Sequence, residues 1–263
     1  MPPFQPTDLA GLARGLLQDG PHRTLPTPKR LRILLNGQYI ADTTRGVYVW
    51  EHPYYPYYYV PLSSIPASHR TVLERLHDGA ASILRITVGS RATDRVLAFS
   101  DTLSGDKLQP LQGMARVEFG AADAWFEEDT RIDVHPKDPF KRIDIVHSTR
   151  PLRVAVGGHT VAEAASAQHL FETGLPPRYY LPPTSVDQSV LRPSATVTRC
   201  PYKGEAEYYD VVVGGETYKD IVWFYRHPTL ESAPIVGHLC FYNEKVDIEL
   251  DGEKLERPKT HFA

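Results

Sequence analysis

The segment Thr198-Arg199-Cys200-Pro201-Tyr202-Lys203-Gly204 puts a thiol, a phenol and an amine within one short turn sequence. Cys200 is a nucleophile if a neighbouring cation holds its thiolate, and Lys203 stands three residues on. Thiol catalysis also needs a positioned base. His227 and His238 are the candidates, but no spacing rule sets either beside the thiol. The competing role for Cys200 is that of a small buried hydrophobe. Pro201 fixes a bend that aims Tyr202 and Lys203. A lysine aimed into a cleft binds a carboxylate or donates a proton; on a solvated loop it does neither.

Aromatic residues gather in two places. Tyr54, Tyr55, Tyr57, Tyr58 and Tyr59 are broken only by Pro56, and a second group combines Tyr179, Tyr180, Tyr202, Tyr208, Tyr209, Trp223 and Tyr225. Strand alternation puts half of each group on one face, where core packing accounts for them. The other half would line an amphipathic pocket for an apolar ligand carrying a few oxygens. The expected walls are Tyr179, Tyr180, Tyr209, Trp223 and Tyr225. Arg178 with Glu172 would orient the ligand's polar end, or else form a surface ion pair.

Other chemistries find no equipment. Cys200, Cys240, His227, His238 and His135 show no metal-ligand spacing, so no metal is expected. Phosphate-cradling glycine loops, the nucleophile elbow and the zinc-protease helix motif are absent, and no cofactor is expected. With 29 basic against 32 acidic residues the net charge is −3, and no basic stripe offers itself to nucleic acid.

A repeat must position these residues. Leu31-Arg32-Ile33-Leu34-Leu35-Asn36-Gly37 returns as Leu152-Arg153-Val154-Ala155-Val156-Gly157-Gly158. The same register pairs Trp50 with Phe171, Glu51 with Glu172, Pro56 with Pro177, Tyr58-Tyr59 with Tyr179-Tyr180, and Pro61 with Pro182. Such coincidence signals a duplication. Strands dominate each copy. Gly157-Gly158 and Gly214-Gly215 mark two-residue hairpins. A third hairpin is expected from Leu239–Tyr242 and Val246–Leu250, turned by Asn243-Glu244-Lys245. Within the first copy, Ser68 to His77 reads as a helix, because Val72, Leu73 and Leu76 fall at helical spacing. The predicted organisation is an N-terminal arm over 1–29 and a first repeat over 30–132. A linker and crossing strand follow over 133–150, then a second repeat over 151–256 and a tail over 257–263.

The 263 residues are 41% apolar and 23% charged, an ordinary globular composition. No apolar run approaches the ~18 residues of a membrane span. The two cysteines form no disulfide framework, and the start lacks signal-peptide blocks, so a cytoplasmic protein without membrane or nucleic-acid partners is expected.

The blocks Phe171–Pro182, Thr198–Tyr209, Trp223-Phe224-Tyr225 and Ile235–Tyr242 resemble domain-of-unknown-function family 427, which often occurs in tandem. Ala124–Asp129 followed by His135–Pro139 resembles its linker. The resemblance implies a β-tent fold in each repeat, mainly β and antiparallel, without a structural zinc. Cys-Pro-Tyr-Lys-Gly is its most specific block, and the first repeat lacks it. One site per chain is therefore expected, in the second repeat.

The reading that follows is a cofactor-free cyclase or isomerase, pericyclic closure included, acting on a small apolar metabolite of secondary metabolism. Lys203 and Tyr202 would donate protons or hydrogen bonds, with His227 or His238 as base. Two alternatives stand beside it: a non-catalytic small-ligand module, and a transferase or hydrolase working through Cys200.

Overall fold

The computed structural model describes residues 7–260; the outermost ends of the arm and tail lie outside that range. The described residues form two compact units that divide between Asp138 and Pro139. Each is mainly β, a seven-stranded antiparallel sheet accompanied by a four-stranded one. In the first unit the large sheet runs Arg23–Pro26, Val47–Trp50, Tyr57–Pro61, Met114–Val117, Arg91–Phe99, Ala81–Val88, Arg70–Leu76. In the second it runs Ile143–Ser148, Ala167–Glu172, Arg178–Leu181, Leu239–Phe241, Glu216–Pro228, Gly204–Val213, Leu191–Cys200. Strand for strand, the two units share one topology.

Period-two patterning explains the layers. In Leu152–Val156 the alternate residues Leu152, Val154 and Val156 are buried while Arg153 is exposed. They pack with Val222, Phe241 and Ile248 to make the core of the second unit. Burying each large apolar side chain stabilises by roughly 1.5–3 kcal/mol. The hairpin from this strand turns at Gly157 (φ 57°) and Gly158 (φ 83°). A Cβ on Gly157 would stand 2.3 Å from the Tyr218 hydroxyl. The positive φ favours glycine there, and a side chain would have to push the Tyr218 hydroxyl aside.

Two expectations change. Ser68–His77 is not a helix: Arg70–Leu76 is an edge strand paired with Ala81–Val88, and Val72 and Leu73 are exposed. The helical spacing was coincidental; β-branched Thr71 and Val72 suit a strand, and an available sheet edge decides the outcome. The third hairpin does not form. Leu239–Phe241 lies in the large sheet and Asp247–Leu250 in the small one, so Asn243-Glu244-Lys245 carries the chain between layers. The arm supplies Arg23–Pro26 as an edge strand of the first large sheet. The linker likewise supplies Ile143–Ser148, paired with Ala167–Glu172.

The amphipathic stretch of the arm is a helix, Leu9–Asp19, capped by Asp8, which accepts from the Gly11 N–H at 3.0 Å. Leu9, Ala13 and Leu16 bury one face against Tyr59, Leu97 and Phe99. No helix among the described residues is long and apolar enough to cross a membrane.

One buried histidine makes stability pH-dependent. His169 is 4% exposed, packs edge-on to Tyr179, and its Nε2 has no hydrogen-bond partner. Burial, with Arg150 adding to it, holds its pKa below 6.5. The unfolded chain therefore takes up a proton that the folded ring refuses, and stability is lost as pH falls below about 6.5. Thermal midpoints measured across that range should drop on acidification, and His169→Phe should flatten part of the slope. An unchanged slope in the variant would remove this role.

Candidate functional site

Register assembles the site. Tyr180 pairs with Cys240, Cys240 with Trp223, and Trp223 with Tyr208, giving one row across four adjacent strands. Tyr225 stands along the same strand, opposite Ala206. These residues form a cluster with Leu170 and Ile235, on the face of the large sheet away from the main core. The Trp223 indole N–H donates to the Tyr180 hydroxyl at 3.1 Å, leaving that phenol its own proton to donate. Burial raises the pKa of Tyr180 and Tyr225 well above 10.0, so both are neutral donors.

Cys200 pairs with Gly204, making Pro201-Tyr202-Lys203 a three-residue hairpin loop. Gly204 has φ 100°, and a Cβ there would stand 3.1 Å from the His227 carbonyl oxygen. Only glycine closes this turn against its neighbour strand. The loop is fastened from one side. The Thr229 N–H donates to the Lys203 carbonyl at 3.2 Å, and the Ser232 hydroxyl to the Tyr202 carbonyl at 3.1 Å. Thr229 Oγ1 donates to the same Tyr202 carbonyl.

So held, Lys203 turns inward and its Nζ lies 2.6 Å from Oε2 of Glu172. Their side chains keep only 13% and 8% exposure, a pair at the margin of the aromatic cluster. Burial alone would lower the Lys203 pKa; Cys200 and Glu172 outweigh it and hold it above 10.5. Lys203 is therefore an ammonium that faces both a thiol and a carboxylate.

Other expected residues fall elsewhere. Arg178 does not meet Glu172. It forms two 2.7 Å hydrogen bonds with Glu244 and lies 5.5 Å above the Trp223 ring. Tyr179 and Tyr209 turn to the main core, on the face opposite Tyr180, so neither walls this cluster. His227 is exposed. His238 Nδ1 lies 3.0 Å from the Val236 carbonyl oxygen. Tyr202 is buried, and its backbone carbonyl anchors the loop. Cys240, Tyr242 and Glu244 belong to the site although sequence reasoning passed over them. Strand alternation in Leu239–Tyr242 was the available signal; reading that block as half of a hairpin hid it.

The two thiols differ sharply. Cys240 is fully buried and its pKa is pushed up to about 12 by burial. Cys200 is partly exposed. Iodoacetamide on the folded protein, read by intact mass, should add one group at Cys200, and two only after unfolding. Equal labelling of both thiols in the folded state would contradict this placement.

The first unit contains the same position in another state. By register, Glu51 stands for Glu172, Tyr59 for Tyr180 and Arg116 for Cys240. Arg116 pairs with Glu51, their side chains 2% and 5% exposed, and Tyr59 donates to Glu51 at 3.1 Å. Leu97 replaces Trp223 and Phe99 replaces Tyr225, both covered by the helix Leu9–Asp19. The buried carboxylate is kept while its cation has moved from a sheet strand to a loop.

Together, two tandem antiparallel β domains with a loop-borne Cys-Pro-Tyr-Lys-Gly block in the second define a tandem-repeat class. The model of one family, "Domain of unknown function (DUF427)", matches residues 23–128 and again 144–252. The chain belongs to that family. Among curated proteins, none matches it.

Proposed function

We propose that the second repeat acts on a small, largely apolar metabolite by proton transfer, in an isomerisation or cyclisation. One observation carries the reading: the buried carboxylate common to both repeats is served by Arg116 in the first but by Lys203 in the second. A guanidinium keeps its protons at any working pH, so Glu51–Arg116 is suited to architecture. An ammonium, the less basic of the two cations, is the better donor to an oxygen that gains negative charge beside it. Lys203 would donate to an oxygen where negative charge develops, Glu172 would accept a proton from carbon, and neutral Tyr180 would add a hydrogen bond. Trp223 and Tyr225 would hold an apolar skeleton in a reactive conformer.

The experiment uses apolar fractions of a cell extract added to the protein during thermal unfolding. At least one fraction should raise the midpoint of the wild type and leave Lys203→Met/Glu172→Gln unmoved. If no fraction stabilises the wild type, or the variant is stabilised equally, the reading fails.

A further inference from the structure

The aromatic row of the second repeat is shut. Tyr180 is fully buried, and Tyr225 and Trp223 keep 4% and 7% exposure. A substrate meets them only if their cover moves. Over them runs the connection 229–238, which leaves the strand Glu216–Pro228 and returns as Leu239–Phe241. Its 3₁₀ turns, Leu230–Ile235, lie against Glu216–Pro228 and also against Ile143–Ser148. Three strands separate those two in the sheet, among them the ones that carry Glu172 and Tyr180. The connection is therefore a strap across that face.

The strap is lightly held. Of its side chains only Ser232 and Ile235 are buried, while Leu230 and Val236 are exposed. Ile235 joins Tyr180, Trp223 and Tyr225 in the aromatic cluster. The turns close on themselves: the Ser232 N–H donates to the Thr229 carbonyl at 3.0 Å, Val236 to Ala233 at 3.1 Å and His238 to Ile235 at 3.1 Å. Those bonds survive if the strap lifts as one piece. It is fastened to the sheet where the Gly237 N–H donates to the Tyr225 carbonyl at 2.9 Å. At its other end are the bonds from Thr229 and Ser232 to the Lys203 and Tyr202 carbonyls.

The first repeat covers the corresponding row differently. Tyr59, Leu97 and Phe99 lie under the helix Leu9–Asp19, which buries Leu9, Ala13 and Leu16 on them. That cover is part of a core. The strap brings one large apolar anchor, Ile235.

We propose that residues 229–238 are a lid on the aromatic row, with Ile235 as its latch. A segment with so few buried side chains belongs to the low-stability end of a fold and opens locally. Lifting it frees the Tyr202 and Lys203 carbonyls, so the loop that presents Lys203 loosens with it. Closure restores those bonds and sets Lys203 against Glu172 with the substrate inside. The gating role rests on the proposed acid–base function; the opening itself does not.

Hydrogen exchange followed by NMR tests the lid on the wild-type protein with no ligand present. The Thr229 and Gly237 amides report the two ends of the strap. The Trp223 indole N–H, bonded to the Tyr180 hydroxyl, reports what lies beneath. All three should exchange through one opening, about a hundredfold or more frequent than that of the Val222 and Trp223 backbone amides, whose strand is paired on both sides. Mild urea should accelerate those backbone amides and leave the lid's three groups nearly unchanged. Ile235→Val should speed all three by one factor, about fivefold, the usual effect of deleting a buried methylene. Strap amides that open only together with the backbone of Val222 and Trp223 would make the segment part of the core. A Trp223 indole that stays closed while the strap opens would mean that the strap frays without uncovering the row. Either result overturns the lid, as does an Ile235→Val effect confined to one end. The thermal-unfolding test of the proposed function stands apart, since none of these rates needs a ligand.

Discussion

Lys203→Met should destabilise the second repeat by about 3–5 kcal/mol, the usual effect of removing one partner from a buried ion pair. The reason is what it strands. Glu172 has a side chain only 8% exposed, and its close cation comes from the Pro201–Lys203 loop. Methionine keeps most of the packing volume, so the loss reports charge rather than shape. The double variant Lys203→Met/Glu172→Gln should recover most of that stability, because a neutral amide no longer needs a countercharge. Urea denaturation gives both numbers. A single variant within about 0.5 kcal/mol of wild type would mean that the pair is solvated and its burial unimportant.

Arg116→Met should cost the first repeat as much, again about 3–5 kcal/mol, since Arg116 and Glu51 are more deeply buried still. Tyr59 alone cannot neutralise the carboxylate it hydrogen-bonds. Burial lifts the Glu51 pKa above 4.5 and Arg116 opposes that shift, so without the arginine the carboxyl should take up a proton more readily. Its destabilisation should therefore shrink as the medium is made more acidic. On the proposed function, ligand response in the second repeat should survive Arg116→Met/Glu51→Gln. Loss of that response with the first unit still folded would contradict the division of labour between repeats.

Much of the architecture was legible. The register pairing Glu51 with Glu172 and Tyr59 with Tyr180 placed the duplication, and the paired glycines placed two hairpins, because such turns need positive φ. Position on a face was half legible. Alternation guaranteed that Tyr179 and Tyr180 part company, but not which of them would face the core. What stayed hidden depends on contacts far apart in sequence. Arg178 found Glu244, not Glu172, because the crossing Asn243-Glu244-Lys245 passes beside its strand. Lys203 found Glu172 because Thr229 and Ser232 fasten its loop. The strand Arg70–Leu76 escaped for the same reason: its state is set by the neighbouring sheet edge, and local spacing alone suggested a helix.

An isomerisation or cyclisation leaves mass unchanged, which makes the claim testable without a known substrate. Metabolite extract is incubated with wild type, with Lys203→Met/Glu172→Gln, and with Arg116→Met/Glu51→Gln, then resolved by chromatography with mass detection. Wild type and the first-repeat variant should both deplete one compound and raise another of identical mass, while the second-repeat variant leaves the extract unaltered. Conversion by all three proteins, or by none, would contradict the assignment of acid–base chemistry to Lys203 and Glu172.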